Sequence, residues 1–277
     1  YLAKEGCVNI CGGCCGTSPE HIKAIAEALK KYEPRQIPQI EEKSVFSGLE
    51  PFSLNDKQRF AIVAERTNVT GSKKFARLIQ EKNYEEALNI AREQIENGAN
   101  ISLDMALIDT KAQMVEFLNL IASEPEIARV PIMLDSSKFD VIEAGLKCIQ
   151  GKSIVNSISL KEGEEKFIEH AKAIKVLGSA MVVMAFDEQG QASTTERRVE
   201  IVDRAYKILT EKVGISPCDI IFDLNVFPIA TGIKEHNING ISFIEATKII
   251  KQKYPKVIIS GGISNISFSF RGLNRIR

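Results

Sequence analysis

From about Arg59 onward the chain alternates short β-branched runs with longer amphipathic stretches, and this alternation constrains the fold more than any other feature. The strand candidates are "FAIVAE" (60–65), "NISLD" (100–104), "VPIMLD" (130–135), "SIVNSIS" (153–159), "SAMVVMAFD" (179–187), "DIIFDLN" (219–225) and "KVIISGG" (256–262). Between them lie stretches such as "NYEEALNIAREQIENG", where Leu88, Ala91 and Ile95 recur at helical spacing and Gly98 follows as a stop. Near-continuous apolar strands separated by helices predict a parallel sheet covered on its faces by helices. Seven such units are too many for most doubly wound sheets and one short of a (β/α)8 barrel.

The front of the chain does not follow this rhythm. "GTSPEHIKAIAEALKKY" predicts one helix with Ser18 as N-cap, Pro19 in the first turn and Ile22, Ile25 and Leu29 on one face. The segment that follows, 34–58, carries three prolines and no period, and reads as a linker. The expected organisation is therefore a helical remnant over 1–33, a linker over 34–58 and a barrel domain over 59–277.

Ahead of that helix stands "NICGGCCGTSPEHI", with Cys14 and Cys15 adjacent. A vicinal pair closes a disulfide only by straining the peptide between, but two thiolates on a glycine-rich turn can share a zinc ion if the chain supplies further ligands. Cys7 and Cys11 lie close by, while Cys148 and Cys218 sit alone in periodic segments. That is not the spacing of a disulfide scaffold, and it predicts a reducing, cytoplasmic setting. With 36 basic and 36 acidic residues and no block of like charge, nucleic acid and acidic membrane surfaces find no footprint. No apolar run reaches the ~18–20 residues of a membrane span, and no secretory signal opens the chain.

In a parallel barrel, functional side chains collect at the C-terminal ends of the strands. Those positions here hold Asn68, Asp135, Asn156, Asp187, Asp223, Asn225 and Asn265. Any one of them alone is most simply a turn or cap residue. Together they form a rim of carboxylates and amides with few cations. Such a rim suits a flat heterocycle rich in N–H donors and carbonyls, and suits phosphate poorly. A pterin fits, because its amino group and ring N–H donate to carboxylates while its carbonyl and ring nitrogens accept from amides.

The segments "ERTNVTGSKKFARLI", "DSSKFDVIEAGLKCIQGKSIVNSISLKEGE", "MVVMAFDEQGQA", "IIFDLNVFPIATGIKEHN" and "ISGGISNISFSFRG" closely resemble the pterin-binding domain of cobalamin-dependent methionine synthase. The opening "NICGGCCGTSPEHI" resembles the end of the homocysteine-binding domain that precedes it in that family. The resemblance implies a pterin-binding (β/α)8 TIM barrel, truncated before its eighth strand, preceded by the terminal helix of another barrel. It implies that Asp135, Asn156, Asp223 and Asn265 hold 5-methyltetrahydrofolate, with Asn265 hydrogen-bonded to N5 of the pterin as the methyl leaves. It further implies that Cys14 and Cys15 are two of three zinc thiolates, and that cobalamin on a separate domain accepts the methyl. The cobalamin- and homocysteine-binding domains would be the partners, and this chain alone is expected to be inactive.

Three features depart from the family. The stretch "ISLDMALIDTK" is shorter after the second strand, with Asp104 as a candidate replacement for a lost polar group; "FDLN" stands where the family has "FDPN"; and "RGLNRIR" ends the chain where the seventh helix should begin. Two other readings compete. One is a dihydropteroate synthase-like enzyme, against which "SNISFSF" offers no late lysine or arginine for a diphosphate; the other is a non-catalytic pterin-binding remnant. Elsewhere, His21, His170 and His236 show no metal-ligand spacing. His170 reads as a surface helix residue, His236 as part of a solvated loop, and Met181 and Met184 as barrel filling.

Overall fold

The computed structural model describes residues 1–54, 60–64, 66–68, 72–104 and 111–270, with the backbone alone at 102–104. The shortened loop after the second barrel strand, the side chain of Asp104 and the closing "RGLNRIR" therefore lie outside the described residues. By compactness the chain divides into Tyr1–Glu42 and Lys43–Arg277.

In the first unit α1 (Pro19–Leu29) begins where expected, with Ser18 extended at the N-cap and Pro19 in the first turn. The Ser18 N–H donates to Nδ1 of His21 at 3.1 Å, so His21 closes the helix start. The Ser18 hydroxyl donates to Glu20 and holds that carboxyl below its usual range. No residue of α1 is buried.

The second unit begins well before Arg59, and this corrects the reading of 34–58 as linker. β1 (Val45–Ser47) and β2 (Pro51–Ser53) form an antiparallel hairpin in which Phe46 faces Phe52. The hairpin is docked by backbone bonds from Ser47 N to Lys152 O at 3.0 Å and from Leu49 N to Ala128 O at 2.9 Å. Its turn has room for glycine only, since a Cβ on Gly48 would lie 2.2 Å from the carbonyl oxygen of Ala128. Residues 43–54 lack a period because two aromatic side chains, Phe46 and Phe52, rather than a repeating face, anchor them.

The barrel follows. β3 (Val63–Ala64) leads through α2 (Lys73–Gln80) and α3 (Tyr84–Glu96) to β4 (Ile101–Asp104), then through α4 (Lys111–Ala122) and α5 (Pro125–Ala128) to β5 (Ile132–Asp135). α6 (Phe139–Leu146) precedes β6 (Ile154–Ile158), and α7 (Glu164–Val176) precedes β7 (Ala180–Met184). A short hairpin, β8 (Phe186–Asp187) with β9 (Gly190–Gln191), comes before α8 (Thr195–Lys207) and β10 (Ile220–Asp223); α9 (Asn239–Lys253) then leads to β11 (Ile258–Ser260). Seven parallel strands run in the order β11-β10-β7-β6-β5-β4-β3. This is the barrel topology expected, and among the described strands β3 and β11 stand at its two edges.

Two apolar layers hold it. Leu134, Val155, Met181, Val183, Ile220 and Phe222 point outward into a buried cluster with Phe117 of α4, Phe167 of α7, Val202 of α8 and Ile250 of α9. Met133, Ile154, Ala180, Val182 and Ile221, one residue out of step, point inward and pack with Phe46 of the hairpin. Phe46 thus plugs the N-terminal end of the barrel and is 1% exposed. His170, expected on the surface, instead stacks on Phe139 with ring centroids 3.9 Å apart. Burial, reinforced by the Lys166 charge, holds its imidazole below the usual pKa. Cys148 is half-buried and Cys218 buried, both as packing thiols.

The plug is testable. Phe46→Ala should lower stability by about 3–5 kcal/mol in urea denaturation, the range for removing a buried aromatic. A hairpin that served only as tether would leave the midpoint unmoved.

Candidate functional site at the barrel mouth

The pleat that separates the two apolar layers also selects what reaches the mouth. Side chains two apart on a strand share a face. Asp135 therefore follows Met133, Asn156 follows Ile154, Met184 follows Val182 and Asp223 follows Ile221, all on the inward-facing side. Asp135 pairs with Asn156 across β5 and β6, and Asp223 is flanked by Met184 and Ser260. In β6 the register shifts between Val155 and Ile158, a bulge that spans Asn156. Bulges of this kind re-aim a side chain at the end of a strand.

β11 runs into a 3-10 segment, Ile263–Phe270, which carries Asn265. The turn into it is tight: a Cβ on Gly261 would sit 2.9 Å from both Phe243 and Val226, and Asn265 N donates to Gly262 O at 2.9 Å. "GGIS" is thus the corner that presents Asn265.

Asp223, Asn225 and Asn265 line one cavity of ≈ 260 Å³, together with Met184, Gln191, Phe227 and Phe268. Asp135 and Asn156 stand at the same end of the barrel on adjacent strands but do not line that cavity. Asn68 lies at the end of β3, half-buried, its carbonyl accepting from Ser72 N at 2.8 Å. Neither methionine expected to fill the barrel does so: Met181 points outward against the helices, and Met184 is cavity wall.

Two residues expected at the ligand are bonded within the protein. Asp187 lies outside the cavity lining; one of its carboxylate oxygens accepts from Gln189 N at 3.0 Å and the other from Arg197 at 2.5 Å. Asn225 lines the cavity, yet its amide donates to the carbonyls of Ala185 at 2.7 Å and Ala192 at 3.5 Å. Asn225 also sits in the left-handed region at φ 60°, which asparagine tolerates better than other side chains. Both residues lock the β8–β9 hairpin to its surroundings. In contrast, the carboxamides of Asn156 and Asn265 have no hydrogen-bond partner among the described residues.

The residue that sequence reasoning missed is Arg198. It is fully buried, and its guanidinium donates to the carbonyls of Leu224 at 2.5 Å, Asn225 at 2.9 Å and Ser193 at 2.7 Å, and to the Ser242 hydroxyl. It thus fixes the loop that directly follows Asp223 at the end of β10. A signal was present: Arg198 stands three, four and seven residues before Ile201, Val202 and Ala205, on the buried face of α8. Burial pushes the Asp223 carboxyl above its usual pKa, against the opposing pull of the Asn225 N–H and the Arg198 charge.

This geometry matches what the comparisons with known proteins return. The profile of the pterin binding enzyme family matches residues 64–277. The chain belongs to that family. Its domain is a pterin-binding enzyme domain, with a pterin or folate as the small-molecule substrate. A second match, to homocysteine S-methyltransferase, covers residues 1–29. Among solved structures, the domain is similar to 7,8-dihydropteroate synthase from Vibrio fischeri ES114 at 13% identity and TM-score 0.52, covering 79% of this chain and 77% of that one. That likeness shows the fold alone. A Yersinia pestis DHPS with a pterine-sulfa conjugate matches at 12% identity and TM-score 0.48, over 66% of this chain and 70% of that one. No helix among the described residues is long and apolar enough to cross a membrane.

At the other end of the chain Cys14 and Cys15 are both exposed, as are Cys7 and Cys11. Among the described residues no three His, Cys, Asp or Glu side chains gather into a metal site. An adjacent pair alone would offer a zinc ion two thiolates and leave half of a tetrahedral shell to water.

Two outcomes follow. Asp223→Asn should weaken pterin affinity about ten- to hundredfold, the worth of a charge-assisted hydrogen bond. Since an ionised carboxylate accepts the pterin's N–H groups, wild-type affinity should fall as pH drops through the raised Asp223 pKa. That fall should begin above the ordinary 3.8 and be absent from Asp223→Asn, as read by calorimetric titration across pH. For the thiols, dialysis against a mild chelator should strip zinc from the chain; stoichiometric retention would mean that Cys7 or Cys11 completes the shell.

Proposed function

We propose that the domain binds 5-methyltetrahydrofolate and surrenders its N5-methyl group in the manner of cobalamin-dependent methionine synthase. The observation that carries this reading is the order of the two family matches. A homocysteine S-methyltransferase segment at 1–29 precedes a pterin-binding domain at 64–277 in one chain. The cavity supports it: none of its described lining residues is cationic. A diphosphate-bearing pterin, the substrate of the competing dihydropteroate synthase-like reading, needs cations or a helix start for its leaving group.

In this reading the Asp223 carboxylate accepts from the pterin's amino group and ring N–H, while Asp135 and Asn156 extend the same polar rim along β5 and β6. Asn265 takes the position beside N5. A methyl on a tertiary amine leaves with difficulty, because the departing nitrogen would be a strongly basic amide anion. A hydrogen bond or a proton delivered at N5 makes it a neutral leaving group. Asn265 would hold that hydrogen bond as charge develops, a contribution that a preorganised dipole makes without reorganising. The described rim offers no exposed thiol or amine to accept the methyl. A corrinoid cobalt borne by another domain would supply the nucleophile when docked. No residue of this chain is assigned to hold that cofactor. Cys14 and Cys15 would contribute two thiolates to a zinc site that activates homocysteine, with the rest of that site supplied by the remainder of the homocysteine-binding domain.

Calorimetric titration with 5-methyltetrahydrofolate and with dihydropterin diphosphate separates the readings. Binding of the first and not the second is expected, with negligible methyl transfer to added cob(I)alamin by this chain alone. Tighter binding of the diphosphate would favour the synthase-like reading, and binding of neither would leave a domain that has lost its ligand. Asn265→Ala should keep folate affinity within a few-fold while lowering methyl transfer in the assembled enzyme.

A further inference from the structure

We propose that Gln191 is a specificity-determining residue that reads the tail of a folate where it leaves the cavity; this rests on the pterin-binding reading above. The cavity holds ≈ 260 Å³, less than the ~300–1,000 Å³ of sites that enclose a drug-sized ligand. It has room for a pterin ring but not for the ring together with a benzoylglutamate chain. The chain must cross the lip, and what stands at the lip decides whether it is recognised.

Gln191 stands there. It lines the cavity and is at the same time exposed, which places it between the enclosed ring site and solvent. It ends the β8–β9 hairpin, paired across from Phe186. The backbone around it is held from several sides. Ala192 N donates to Ala185 O at 2.9 Å, and Asn225 bridges the carbonyls of Ala185 and Ala192. Arg197 ties Asp187, and Arg204 grips Glu188 through a pair of bonds at 2.8 and 2.9 Å. That grip holds the Glu188 carboxyl down to about 2. Both carboxylates of this hairpin, Asp187 and Glu188, are engaged in fixing it. The Gln191 carboxamide, by contrast, has no hydrogen-bond partner among the described residues.

The chemistry of that free group suits the tail better than the ring. A carboxamide offers a donor and an acceptor side by side. The benzoylglutamate chain of a folate presents an anilino N–H and an amide carbonyl, one acceptor and one donor short of satisfaction once water is displaced. The ring's own donors are already matched by the deeper Asp223. Phe268, also in the cavity wall and 58% exposed, gives the benzoyl ring an apolar surface at the same lip.

The test compares two ligands: 5-methyltetrahydrofolate, and 5-methyl-6,7-dimethyltetrahydropterin, which has the ring and no tail. Gln191→Ala should weaken the folate about three- to tenfold, the worth of one or two neutral hydrogen bonds, and leave the tailless pterin unchanged. Gln191→Glu, which keeps the shape but loses the donor, should show the same selective loss, with an unchanged circular dichroism spectrum as the check on folding. Equal weakening of both ligands, or of neither, overturns the proposal. If the wild-type chain binds neither ligand, the pterin-binding reading falls with it, an outcome distinct from unselective loss.

Discussion

Everything at the mouth of this barrel depends on the pleat. A parallel strand buried on both faces must send alternate side chains to two different apolar layers, and the chain meets that demand with unbroken runs such as Ile132-Met133-Leu134 and Ala180-Met181-Val182-Val183. Once Leu134 is committed to the helices and Met133 to the interior, the next inward position is fixed geometrically. Asp135 occupies it. The same holds for Asn156 after Ile154 and Asp223 after Ile221. Core packing therefore aims the polar groups, and a slip of one residue would turn them toward the helices. At the opposite end Phe46 closes the interior, which keeps that layer dry.

The second constraint is polar and buried. Arg198 has no water to satisfy it, so its guanidinium must find acceptors within the protein. It finds the carbonyls of Ser193, Leu224 and Asn225, and in doing so ties the start of α8 to the loop after β10. Asn225, Asp187 and Arg197 continue that network into the β8–β9 hairpin. The stretch "FDLN" is held firmly without a proline: the Leu224 carbonyl is held by a buried cation, and Leu224 is itself buried. The cavity wall is braced from behind by Asn225 and Arg198, while the Gln191 and Asn265 carboxamides in its lining have no partner among the described residues.

The fold was largely legible. All seven parallel strands fall within the segments singled out by β-branched runs, since burial on both faces writes itself into composition. The helix start at Ser18 and Pro19 was equally readable, because capping is local. The hairpin at 45–53 was not, since its stability comes from Phe46 reaching residues as distant as Ile221. At the site, strand-end position alone picked out Asp135, Asn156 and Asp223, but it ranked Asp187 and Asn225 beside them. Residue type and position could not separate a carboxylate paired with Arg197 from one left facing a cavity. His170, assigned to the surface by its polar neighbours, was drawn under by Phe139, thirty-one positions earlier.

By itself, then, the sequence determined the alternation of strand and helix, the parity of each strand, and so which carboxylates and amides end up at the mouth of the barrel. Those follow from periodicities of two and 3.6 residues, which are properties of neighbouring positions. Only the tertiary structure decided which of these groups remain available, because hydrogen-bond satisfaction is a matter of partners far apart in the chain. It paired Asp187 with Arg197, tied the Asn225 amide behind the cavity wall, brought Arg198 into the core as the clamp, and left the carboxamide of Gln191 at the lip without a partner among the described residues. A buried polar group must be satisfied wherever satisfaction can be found, and no local pattern in the chain records where that is.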